Sequence, residues 1–171
     1  MRYHNITKDD MLNGEGLRTV LWVAGCSHHC PQCHNPVTWD INGGLVFDEQ
    51  AKEELFEELK KDYVSGVTFS GGDPFHLENR EEIGALAKEI REKFPDKTIW
   101  LYTGYEWEEI CHLSFLSNID VIVDGKFKIE EKDNNLHWKG SANQRVIDVK
   151  SIPSRRRGPS LPGVMKRRKA A

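Results

Sequence analysis

The sequence has no apolar run approaching the roughly 20 residues that a membrane-spanning helix requires, so no membrane association is expected. Its first residues, Met1-Arg2-Tyr3-His4, lack the apolar stretch of a secretory signal, and the expected location is cytoplasmic. Internal repeats are absent. Cysteine is scarce, with four in 171 residues, and three of the four fall within eight positions. Four cysteines would permit two disulfides. In a cytosolic chain, however, a thiol cluster that tight reads as metal binding rather than as a disulfide framework.

Acid is missing from one end. Residues 151–171 carry seven basic side chains and no acidic one, whereas the other 150 residues hold 17 basic and 27 acidic residues, a net of −10. An acidic body is a poor nucleic-acid binder, so any such affinity is expected to come from the tail. That tail has three prolines and few large apolar residues, and it is expected to be disordered. Residues 1–150 suffice for one domain with a real core.

The body alternates β-type runs with helical patterns. Arg18 to Ala24 is rich in β-branched and aromatic residues and reads as the first strand. Over 48–63, Ala51, Leu55, Leu59 and Tyr63 recur every four residues beside Phe56. This spacing predicts a helix with Asp48 as N-cap. Val67 to Phe69 is a short buried strand. Asn79 and Glu82 have capping-box spacing at the start of a helix with Ile83, Leu86, Ala87, Ile90 and Phe94 inward, ended by Pro95. Thr98 to Tyr102 is a strand, Glu106 to Leu116 a helix, Ile119 to Val123 a strand, and Gln144 to Val149 closes the body. This alternation implies α/β architecture with a mainly parallel sheet. A full eightfold barrel typically takes about 250 residues. The expected fold class is therefore an open partial (βα) barrel.

Cys26-Ser-His-His-Cys30-Pro-Gln-Cys33 has the spacing C-x3-C-x2-C directly after the first strand. Ligands of parallel sheets gather at the carboxyl ends of strands, where this loop lies. Iron–sulfur cubanes are usually held by four thiolates, so three would leave one iron open for chemistry. Two alternatives stand beside this reading. One is a structural zinc site with His28, His29 or His34 as fourth ligand, which would make the chain a zinc-stabilised binding module. The other is a closed cluster completed by Cys111, although the helical pattern around Cys111 argues for packing.

A second motif, Ser70-Gly71-Gly72-Asp73-Pro74, follows the Val67–Phe69 strand. Two glycines there permit positive φ and close approach of backbone to a ligand, while Gly-Gly-Asp-Pro is also ordinary turn chemistry. Asp124 at a strand end has a comparable ambiguity. It would orient a cofactor, bind a cation, or simply open an Asp-Gly turn. Asn143, Gln144 and Arg145 would face a partner or cap the sheet. His28 and His29 read as solvated loop residues, and the five tryptophans as core or rim packing.

These motifs resemble a family. C-x3-C-x2-C after the first strand is similar to the signature of the radical S-adenosylmethionine superfamily, and Cys33-His34-Asn35-Pro36 is similar to its form in glycyl-radical activating enzymes. The Gly-Gly-Asp-Pro segment resembles the one that holds the methionine amino group in that superfamily. Asn13-Gly14-Glu15-Gly16, Thr103-Gly104-Tyr105, Val123-Asp124-Gly125-Lys126-Phe127 and Trp138 to Arg145 resemble the activating proteins of anaerobic (class III) ribonucleoside-triphosphate reductase, from about Tyr3 to Val149. Glu15 departs from a frequent proline and His34 from a common tyrosine. His34 instead resembles pyruvate formate-lyase activase, so another glycyl-radical enzyme is the alternative partner.

The resemblance implies a [4Fe–4S] cluster on Cys26, Cys30 and Cys33, with S-adenosyl-L-methionine on its open iron. Gln32, Cys33 and His34 would contact this cofactor, as would Ser70, Gly71, Gly72 and Asp73. No catalytic residue is implied beyond the cluster and bound cofactor. Reductive cleavage would yield a 5′-deoxyadenosyl radical that takes hydrogen from a glycine of the reductase, with electrons from a low-potential carrier such as flavodoxin.

Overall fold

The computed structural model describes residues 1–152. The disorder expected from Ser151 onward is corrected for its first two residues, since Ser151 ends a 3₁₀ turn and Ile152 is buried in the main core; the predictions for the rest of the basic tail lie outside the described residues. Seven strands form one sheet: β1 (Arg2–Asp10), β2 (Arg18–Val23), β3 (Leu45–Val46), β4 (Gly66–Gly71), β5 (Thr98–Tyr102), β6 (Val121–Asp124) and β7 (Arg145–Asp148). Their order is β3-β1-β2-β4-β5-β6-β7. The four central strands β2, β4, β5 and β6 run parallel, as the alternating pattern predicts. The flanking pairings of β1 with β2 and β3, and of β6 with β7, are antiparallel.

Side chains alternate along each central strand, as β geometry requires. Leu21, Val23, Val67, Phe69, Ile99, Leu101 and Ile122 enter the main core. There they meet Leu55 and Leu59 of α1 (Glu49–Leu59), Ile83 and Ile90 of α2 (Arg80–Lys93), and Trp107 and Ile110 of α3 (Trp107–Ile110). The helices thus pack against one face. The opposite face carries a smaller cluster of Trp100, Val121 and Val123, with Tyr102, Trp138 and Val146 against it.

Some local expectations hold and others are corrected. Asp48 caps α1 by accepting the Ala51 N–H at 3.0 Å. Tyr63, predicted on the same helical stripe, lies beyond the helix and is exposed. Asn79 makes no side-chain cap on α2. It is fully buried and donates to the Ala24 carbonyl at 2.8 Å and the Asp73 carbonyl at 3.2 Å, tying the ends of β2 and β4 together. The predicted 106–116 helix is a single turn, opened by a capping box between Glu106 and Glu109, then a separate 3₁₀ turn at Ser114–Asn118. The break lets Phe115 approach α2 at Gly84, where an added methyl would lie 2.8 Å from its ring. Strand β1 was not anticipated, because only Ile6 of its nine residues is buried.

Candidate functional site

The parallel strands β2, β4, β5 and β6 are neighbours, so the loops after them share one edge of the sheet. Those loops are the cysteine loop, the Gly-Gly-Asp turn, Thr103-Gly104-Tyr105 and Asp124-Gly125-Lys126-Phe127. Edge-sharing alone brings together residues up to a hundred positions apart.

The cysteine loop is fastened at both ends. Gly25 and Cys26 donate their amides to the Thr38 and Trp39 carbonyls at 2.7 and 3.0 Å. Cys26, Cys30 and Cys33 are free and partly exposed. Backbone amides face the sulfurs: Asn35 N–H reaches the Cys33 sulfur at 3.4 Å, His28 and His29 amides act on Cys26, and the Phe127 amide acts on Cys30. Burial pushes the Cys26 thiol up to about 11 and raises Cys30, more than these amides offset. An electropositive metal must therefore displace protons on binding, and the amides would then stabilise the thiolates.

Among the described residues, no three His, Cys, Asp or Glu side chains gather closely enough to hold one metal ion. In a cubane each thiolate takes a different iron. The chemistry of the donor set, three free thiols ringed by amides, fits such a cluster.

His28 departs from the solvated position expected of it. Its side chain is 8% exposed, and Nε2 lies 2.8 Å from Asp73 Oδ2. His29 and His34 are exposed; His29 packs its ring on Trp39, and His34 faces Phe127. Gln32 is exposed with φ +56°.

The Gly-Gly-Asp turn touches the cysteine loop directly. Asp73 N–H donates to the Gly25 carbonyl at 2.7 Å, and Gly72 N–H to Val23 at 2.8 Å. At Gly72 a Cβ would lie 2.5 Å from Gly25 O and 2.8 Å from Thr38 O, so only glycine lets the two segments meet. Ser70 is buried on the face opposite the main core, and Gly71 has φ +105°. Asp73 is buried. Its carboxylate accepts from Phe75 N–H, the Thr103 hydroxyl and Gly104 N–H at 2.8 to 3.0 Å.

Asp124 is not free to bind a cation on its own. It is buried, accepts the Trp107 N–H at 2.7 Å, and pairs with Arg145, which also pairs with Glu108. Arg145 holds the Glu108 carboxyl below the ordinary range. Gln144 donates to the Gly125 carbonyl and Asn143 to that of Lys126, so this segment caps the β6 loop. Between these elements opens a cavity of about 670 Å³ lined by Gly104, Glu106, Asp124, Lys126, Asn143 and Arg145. Cys111 lies buried at the end of α3, in the main core.

Residues 12–147 match the family of 4Fe-4S single cluster domains. The chain is 44% identical over 146 residues to the anaerobic ribonucleoside-triphosphate reductase-activating protein of Enterobacteria phage T4, covering 85% of this chain and 93% of that one. This chain belongs to that family of activating proteins. The family member from Escherichia coli K12 is 39% identical over 150 residues, and that from Salmonella typhi 40%; each comparison covers 85% of this chain and 97% of the relative. Both tight motifs, with the glycines that let them touch, fall inside the segment matched as a 4Fe-4S domain.

The Asp73 hub was not legible in the sequence as a hub. A buried acid after two glycines is a signal only once the β5 turn is known to lie beside it.

Proposed function

We propose that this protein activates an anaerobic ribonucleoside-triphosphate reductase by radical chemistry at a [4Fe–4S] cluster held by Cys26, Cys30 and Cys33. The observation that carries the reading is the contact of the three-thiol loop with the Gly-Gly-Asp turn on one sheet edge, in a chain of this family. In this reading the sheet is an open partial barrel of the radical S-adenosylmethionine type, with Ser70, Trp100 and Tyr102 on its inner face. When bound, the cluster supplies an electron that cleaves S-adenosylmethionine to methionine and a 5′-deoxyadenosyl radical, which takes hydrogen from a glycine of the reductase.

The chain's own residues bind and orient. Cys26, Cys30 and Cys33 would hold the cluster as its three protein thiolates. Gln32 and His34, exposed on the same loop, and the backbone at Ser70, Gly71 and Gly72 would contact the cofactor. Asp73 contributes by holding the turn in place, because its carboxylate, amide and carbonyl all already have partners. The electron donor would be a low-potential carrier such as flavodoxin, and the setting cytoplasmic. No helix is long and apolar enough to cross a membrane among the described residues.

Anaerobic reconstitution tests this. We expect about four irons with matching sulfide per chain, and 5′-deoxyadenosine on reduction with S-adenosylmethionine. Alanine at any one of the three cysteines should abolish the latter. One zinc per chain without iron, or full product formation in a cysteine variant, would overturn the assignment.

A further inference from the structure

We propose that His28 is a positioning residue, clamping the cysteine loop to the Gly-Gly-Asp turn of β4 and the Thr-Gly turn of β5 through Asp73. Its bearing on cofactor binding rests on the function proposed above; the clamp itself does not.

The geometry is specific to this histidine. Ser27 and His29 beside it are exposed, while its own side chain is nearly enclosed. A carboxylate has no proton to give, so the 2.8 Å contact requires Nε2–H as donor and Asp73 Oδ2 as acceptor. Oδ2 also accepts Gly104 N–H at 3.0 Å, and Oδ1 accepts Phe75 N–H and the Thr103 hydroxyl. One buried carboxylate therefore joins the loops after three adjacent strands. Gly104 makes room for the ring: a Cβ there would lie 2.3 Å from His28 Cδ2. Tyr105 closes the side with its ring 4.7 Å away, and Arg80, bonded to the Phe75 carbonyl, lies over Tyr105.

Little else holds the middle of the loop. Among the described residues, the backbone of 27–32 makes no hydrogen bond to the rest of the fold, and beside the His28 contact there are the Phe127 amide facing Cys30 and the His29 ring on Trp39. Without His28 the thiol loop stays tied at Gly25 and Cys26 but moves independently of the β5 turn. The thiols and the Gly-Gly turn would then no longer be set as one unit.

The test compares the full chain with His28→Ala and His28→Gln, whose amide nitrogen can occupy the Nε2 position. In the protein without cluster, exchange of the hydrogen-bonded amides of Cys33, Gly104 and Tyr105 should be roughly tenfold or more faster in the alanine variant, the size expected from losing a hydrogen bond to a charged group. After reconstitution, the change that S-adenosylmethionine causes in the paramagnetic resonance spectrum of the reduced cluster should need roughly tenfold more cofactor. Glutamine should restore both. If His28→Ala fails to fold, Gly104→Ala takes its place, because the added methyl displaces the ring. Wild-type exchange and wild-type titration in the alanine variant, even with a lowered melting temperature, would overturn the proposal. So would a glutamine variant no better than alanine. If the wild type itself does not respond to S-adenosylmethionine, the proposed function fails, and the exchange comparison still decides the clamp.

Discussion

Arg18 is buried and, among the described residues, forms no ion pair. Its guanidinium bonds to the hydroxyls of Thr68 and Thr98 and to the carbonyls of Glu15, Val67 and Thr98, and it lies 5.4 Å from the Trp100 ring centroid. Burial lowers it to about 10, still charged at neutral pH. The planar fork matters because a lysine would keep the buried charge while reaching fewer of these acceptors. Arg18→Lys should therefore cost about 3 kcal/mol, and more than Arg18→Met, which removes the charge and keeps much of the volume. Urea denaturation of the two variants checks the order; methionine being the worse would contradict it. Gly72→Ala makes a different demand, since its methyl meets two backbone carbonyls that cannot swing away. A loss of roughly 1–3 kcal/mol and weaker cluster uptake are expected, read by thermal melting and iron content. At this scale the cysteine spacing was legible because it is local. The roles of His28 and Asp73 were not, since their partners come from strands that only the fold makes adjacent.

The central parallel strands were legible as elements because they are buried on both sides and read as nearly continuous apolar runs. Strand β1, second from one edge, gave no such signal, its exposed positions being filled by Asn5, Lys8 and Asp9. The third helix was overread because Leu113 and Leu116 continue the apolar spacing of Ile110, although the chain turns after Cys111. What fixes α3 is the pairing of its first turn with β6 and β7 through Trp107, Asp124, Arg145 and Glu108. Arg145→Ala leaves Asp124 buried without its cation and should cost about 3 kcal/mol at neutral pH. Glu108 is held below the ordinary carboxylate range, so its share of stability is present above about pH 4.3 and is lost as pH falls through the lowered value. Arg145→Ala should lack that acid-side loss. Urea titrations at neutral and acidic pH would show it, and an unchanged pH slope in the variant would count against the pairing.

On the scale of the whole molecule, the helices cover one face of the sheet and leave the opposite face to a smaller cluster under Trp138. The alternation of strand and helix patterns predicted the mainly parallel α/β sheet, while the end of the body was expected at residue 150. Ile152 is buried in the main core. A chain ending after Ile152 should melt like the full protein, whereas one ending at Lys150 should lose about 1–2 kcal/mol with that side chain. Any salt-sensitive nucleic-acid binding should disappear in both, because the remaining body is acidic.

The central claim, that the three-thiol loop and the Gly-Gly-Asp turn together serve activation of a partner enzyme, is tested most directly by electron paramagnetic resonance. The reduced, reconstituted protein would be mixed with S-adenosylmethionine and an anaerobic ribonucleoside-triphosphate reductase, with pyruvate formate-lyase in parallel. A glycyl-radical doublet on the reductase alone is the predicted result. A doublet only on the lyase, or none on either with an intact cluster, would contradict it.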